Sequence, residues 1–182
     1  MPVKSNPKSG SFKYSRPMTR GIDVTVAAIV ENRGKFLMVE ERAAGGTLVL
    51  NQPAGHLERG ESLLTAVVRE TLEETGHRFE PDHVVGFYLW HSLEADTTYF
   101  RVAFCGEVEP SADVAVLDEG VVAVHWLMRS QLVSRAHQLR SPMVLRCIDD
   151  YLVGQRYPLD CLAYLASTPI NPDETATLLI GC

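Results

Sequence analysis

From Ile22 to Val30 the chain reads IDVTVAAIV, an apolar, β-branched run with Gly21 before it and Asn32-Arg33-Gly34 after it. That pattern predicts a strand. KFLMVEE at 35–41 predicts a second, and the short turn between them predicts that the two pair as a hairpin. A glycine-containing loop at 43–47 leads into LVLNQP, a short extended piece that ends at Pro53. Residues 62–75 change to a helical period, with Ser62 placed to cap the start and Gly76 placed for a left-handed stop. Residues 83–91, 97–108 and 121–127 predict strands, and 130–139 and 142–153 predict helices, with Pro142 suited to a first turn. Strands outnumber helices and gather around one central helix. The expected fold is α/β or α+β, a sandwich with a mixed sheet.

The length of 182 residues predicts one domain, here 21–166. The first twenty residues hold Lys4, Lys8, Lys13, Arg16 and Arg20 and no acid, among many Ser, Pro and Gly. They read as a disordered basic leader, and 167–182 as a loosely held tail. Without the leader, 12 basic residues face 23 acidic ones, a balance of −11. So acidic a body repels a nucleic-acid backbone, which argues against a nucleic-acid polymer as partner. No apolar run is long enough to span a membrane, no secretory-signal pattern is visible, and the four cysteines form no C-x-x-C pair. These features predict a cytoplasmic protein, monomeric or homodimeric, with reduced thiols.

The central helix breaks two local rules. On a wheel of about 100° per residue, Glu73 lies about 60° to one side of Glu70 and Glu74 about 40° to the other. Leu64, Val67, Val68, Thr71 and Leu72 form a separate, core-facing stripe. Glu70 and Glu74 stand at i, i+4, where like charges repel, and all three acids lie toward the helix C-terminus, which disfavours anions. One reading is a solvated acidic face. The other is a site for a hard divalent cation, which takes carboxylate oxygens and bridges to phosphate. The preceding loop, with Gly55 and Gly60, lets backbone groups approach an ion or phosphate closely. Glu61 sits at the helix start, and Arg69 is placed to bridge acids on its own side.

Gly55, Glu61, Arg69, Glu70, Glu73, Glu74 and Gly76 together match the pattern G-x5-E-x7-R-E-U-x-E-E-x-G-U, where U is apolar. The stretch resembles the Nudix box, with Thr71 and His77 departing at two apolar positions. NQPAGHLE, LRSPMV and GQRYPL are similar to segments of the NudJ-type phosphatases, so the likeness runs over about residues 24–159. It implies the Nudix fold, a mixed sheet between helices with a loop–helix–loop catalytic motif. It also implies Mg²⁺-dependent hydrolysis, with Mn²⁺ as the alternative ion, of nucleoside tri- and diphosphates and of hydroxymethylpyrimidine diphosphate, releasing phosphate. The implied metal set is Gly55, through its carbonyl, with Glu70, Glu73 and Glu74. Glu61, Arg69 and Gly76 are implied as structural parts of the motif. The alternatives are a hydrolase of ADP-ribose or a dinucleotide, and a nucleotide-sensing domain that cleaves nothing.

The general base stays open among Glu70, Glu73, Glu119 and Asp118. The last two also read as a plain acidic turn. Trp90 is a candidate stacking surface for a base or equally a core residue. Arg101, alone among the apolar residues of YFRVAF, is a phosphate candidate or a surface charge. Lys35 and Arg140 are further phosphate candidates, and His56 follows Gly55 directly.

Overall fold

The computed structural model describes residues 21–43, 45–110 and 117–165. The expected leader (1–20) and tail (167–182) lie outside the described residues. Strands β1 (Ile22–Ile29), β2 (Glu31–Asn32), β3 (Lys35–Arg42), β4 (Leu48–Asn51) and β5 (Ala54–His56) precede helix α1 (Leu63–Thr75). Then come β6 (His77–Ser92), β7 (Thr97–Pro110), β8 (Val121–Met128), α2 (Arg129–Ser134), α3 (Met143–Leu152) and β9 (Tyr157–Pro158). The strands form two sheets. One is mixed, in the order β5-β1-β7-β6-β9, with β1 parallel to β7. The other is antiparallel, in the order β2-β3-β4, with β8 on the far edge of β3.

The predicted hairpin forms only as a stub. Arg33 and Gly34 both take positive φ, as a two-residue hairpin turn requires, but only β2 folds back on Lys35 and Phe36. β1 and β3 then separate into different sheets. The reason lies in burial on both faces of β1. Val26, Ala28 and Val30 face one apolar cluster and Ile29 the other, so β1 becomes a central strand and pairs with β7 along its whole length.

The mixed sheet is covered on both faces. Ala66 and Val67 of α1 pack on Val26, Ala28, Phe79, Val84, Val102 and Phe104. On the other side Val144, Cys147 and Ile148 of α3 pack on Ile29, Val85 and Ala103. The ends of α1 follow the prediction. The Ser62 hydroxyl accepts from the Thr65 amide at 3.0 Å, and Gly76, at φ 69°, donates to the Leu72 carbonyl. A side chain at that left-handed position would be strained. Two boundaries differ. β6 starts at His77, six residues before the predicted start, because the strand passes Pro81 with a shift in register. The predicted helix at 130–139 stops at Ser134, whose hydroxyl bonds the Gln131 carbonyl, and a 3₁₀ turn follows.

Candidate active site

The loop between β5 and α1 and the inner edge of α1 form one wall of a cleft of about 800 Å³. The helix is rotated relative to its hydrophobic stripe. Glu70 and Glu74 are among its buried residues, and Glu73 is 41% exposed at its side chain. Three acids that share one arc on the wheel therefore divide between two environments. The cause is β5, which runs beside the helix and offers a backbone donor: the Ala54 amide gives a 2.8 Å hydrogen bond to Glu74 Oε2. Gly55 follows, and a Cβ there would land on the Glu70 carboxylate. Only glycine leaves room for that carboxylate against the backbone.

Arg69 ties the motif together. Its Nε and NH2 donate to the two oxygens of Glu61, both at 2.9 Å, and NH2 also donates to the His56 carbonyl at 3.0 Å. NH1 donates to Glu70 at 2.8 Å and to Glu73 at 3.0 Å. This fork-to-fork pairing with Glu61 fixes the loop against the helix. The Arg69 hydrogen bond holds the Glu61 carboxyl below its ordinary value, and Glu61 first, then Glu70, raise the arginine. Thr71, which departs from the apolar motif position, donates to the Val67 carbonyl at 2.7 Å and packs without a loose hydroxyl.

Electrostatically the cleft is strained. Burial pushes the Glu74 carboxyl up to about 9; the Ala54 amide opposes the rise, and Glu41, Glu70 and Asp118 add to it. Glu70 is raised too, first by burial, with Arg69 opposing and Glu73 and Asp118 reinforcing. Glu41, Glu70, Glu74 and Asp118 all line the cleft. Such a set of desolvated carboxylates fits a divalent cation, whose charge would offset both the burial and the mutual repulsion.

Of the other predicted residues, Trp90, Arg101, Arg140 and His56 line the same cleft. Trp90 is half-buried and stacked on Tyr99, with ring centroids 5.7 Å apart. Arg101 is buried, not on the surface, and its NH1 faces the amide oxygens of Gln52 and Asn51 at 3.3 and 3.5 Å. Arg140 pairs with Glu41 at 3.5 Å. Lys35 stands exposed at the end of β3 remote from Glu41 and does not line the cleft. Of the two loop acids Asp118 lines it and Glu119 does not. The Asp118 amide is anchored on the Glu73 carbonyl at 3.0 Å.

Sequence reasoning missed Glu41, Thr25, Asn51, Gln52, Tyr99 and Ser141. Two signals were present: Thr25 is a polar interruption of an apolar strand, and Glu41 closes the apolar run of β3. Elsewhere, ligand atoms of Asp82, His83 and Cys105 lie within 4.8 Å of one another. Burial lifts that thiol to about 12, and it donates to Asp82 at 3.3 Å, so the group is closed as a thiol–carboxylate hydrogen bond.

Comparison with known proteins identifies the family. The NUDIX domain model matches residues 20–147. Phosphatase NudJ of Escherichia coli (strain K12) is 40% identical over 139 residues, which cover 76% of this chain and 89% of that protein. Phosphatase NudJ of Shigella sonnei matches equally. A NUDIX hydrolase from Nitrosomonas europaea superposes with a TM-score of 0.78 at 44% identity, covering 81% of this chain and all of that one. The NUDIX domain of Shewanella oneidensis NrtR, solved with ADP ribose, is 17% identical at a TM-score of 0.58 and shows the shared fold alone. The chain belongs to the Nudix family and is a Nudix hydrolase acting on phosphate-linked compounds. Nudix hydrolases generally use divalent metal ions.

Proposed function

We propose that the protein is a Mg²⁺-dependent phosphatase of nucleoside tri- and diphosphates and of related organic diphosphates such as hydroxymethylpyrimidine diphosphate, with Mn²⁺ able to replace Mg²⁺. The observation that carries this reading is the contact of the Gly55 backbone with the Glu70 carboxylate, beside Glu74 in the same cleft. The identity with NudJ phosphatases over most of both chains supports the substrate class.

Glu70, Glu74 and the Gly55 carbonyl would hold the ion, with Glu73 as an outer contributor. When bound, the ion supplies Lewis-acid neutralisation of phosphate charge and activation of water. The chain's own residues do the rest. Arg69 holds Glu70 and Glu61 in place, so the carboxylates need no reorganisation on binding. Asp118, at the cleft and near Glu70 and Glu74, would take the proton of an attacking water on a carboxylate oxygen. Arg140 meets the outer phosphate at the rim, and the Trp90–Tyr99 pair offers an aromatic surface to the organic group.

The test is orthophosphate release from GDP, CTP and hydroxymethylpyrimidine diphosphate, with Mg²⁺ or Mn²⁺ and with EDTA. Metal-dependent release is expected. Binding without turnover would identify a sensor domain instead, and cleavage of ADP-ribose into two monophosphates would move the protein to a different substrate class.

A further inference from the structure

The floor of the cleft is the α3-facing surface of the mixed sheet. Across it run two rungs of paired residues. In the outer rung Tyr99 of β7 pairs with Trp90 of β6. In the next rung Arg101 of β7 pairs with Thr25 of β1 and Tyr88 of β6. Two residues along a strand separate the rungs, about 7 Å. Ser141, just before α3, lines the same cleft.

This second rung is polar, buried and incompletely bonded. Thr25, Arg101 and Ser141 are 5%, 5% and 6% exposed. Thr25 Oγ1, Arg101 Nε and Ser141 Oγ each lack a hydrogen-bond partner, and all three residues line the cleft. Among the described residues no carboxylate pairs with the guanidinium; two neutral amides, Asn51 and Gln52, face it. Gln52 is itself oriented by its own donation to the Val144 carbonyl at 2.7 Å. Each unpaired buried group carries a desolvation cost unless a ligand satisfies it. Three such groups meeting in one cleft beside an aromatic pair describe a specificity pocket.

Building on the phosphatase reading above, we infer that Thr25, Ser141 and Arg101 form a subsite for the heterocyclic ring of the substrate, taking its edge of oxo or ring-nitrogen acceptors. The guanidinium only donates, and both hydroxyls can donate, so an acceptor-bearing edge satisfies all three. The Trp90–Tyr99 pair flanks the ring face. Thr25 and Ser141 are thus specificity-determining residues, and the diphosphate extends from this subsite toward Glu70 and Glu74.

The test compares CDP with its base-free counterpart, ribose 5-diphosphate, in wild type, Thr25→Val and Ser141→Ala. The quantity read is the ratio of the two kcat/KM values. Because both come from one preparation, a partly misfolded variant does not distort it. The ratio should favour CDP in wild type and drop about 3- to 10-fold in each variant, the effect of one lost hydrogen bond. An unchanged ratio in both variants, including equal loss on both substrates, overturns the inference, since the hydroxyls would then face phosphate or water. If wild type cleaves neither compound, the phosphatase reading fails. The same ratio taken from dissociation constants then decides the subsite independently.

Discussion

Glu74→Gln separates the metal-site reading from a merely structural one, because it should raise stability and remove activity together. The Glu74 carboxyl is 7% exposed and burial lifts it to about 9, against an ordinary 4.5. Without metal, the folded protein near neutral pH therefore holds a proton that the unfolded chain has released. Because the folded value is the higher one, the Glu74 contribution to stability is fully present below about 4.5 and is lost as pH rises toward about 9. Near pH 7.5, three units above the unfolded value, the cost is about 4 kcal/mol at about 1.4 kcal/mol per unit. Glutamine keeps an oxygen for the Ala54 amide and carries no such cost. In EDTA the variant should gain about 2–4 kcal/mol over wild type. For a chain of this size that raises Tm by on the order of 10 °C. The difference should grow between about pH 5 and 9. Mg²⁺ should shrink that gap, since an ion at a hundredfold excess over Kd adds about 2.7 kcal/mol to wild type only. Turnover should drop at least ~10²-fold. Thermal melts across pH with and without Mg²⁺, together with phosphate release, provide the assay. A variant that melts no higher than wild type in EDTA, or gains equally from Mg²⁺, would refute the reasoning.

Gly55→Ala should cut activity by at least ~10²-fold, because its methyl group takes the space of the Glu70 carboxylate; Mg²⁺ titration by calorimetry should show weakened binding. Arg69→Ala strips partners from Glu61, Glu70 and Glu73 and should cost about 1–3 kcal/mol in denaturant unfolding. Lost activity at an unchanged midpoint would contradict that structural role. Asp118→Asn should lower kcat by about 10²-fold or more, whereas Glu119→Gln, outside the cleft, should stay within about twofold. The reverse order would assign the proton acceptor to Glu119.

How much of this was legible beforehand depends on distance along the chain. The local rules placed α1, with Ser62 and Gly76 at its ends, and they identified Glu70 and Glu74 as misplaced by ordinary helix preferences. The same rules located six of the strands to within a few residues, except β6, which begins at His77, six residues before the predicted start, and passes Pro81 with a shift in register. They misjudged partners. β1 and β3 looked like a hairpin because they are adjacent, yet β1 binds β7, some 75 residues away.

Local sequence was enough for α1 with its caps, for the existence of most strands and for the spacing of the acidic motif, since each depends on residues within about one or two turns of each other. Tertiary structure alone decided which acids are buried, that Glu41 and Asp118 join Glu70 and Glu74, and that Arg101 faces amides instead of a carboxylate. The physical reason is that solvent exposure and electrostatic coupling are set by whatever packs alongside a residue. In a sheet assembled from distant strands, those neighbours come from segments whose sequence separation carries no periodic signal.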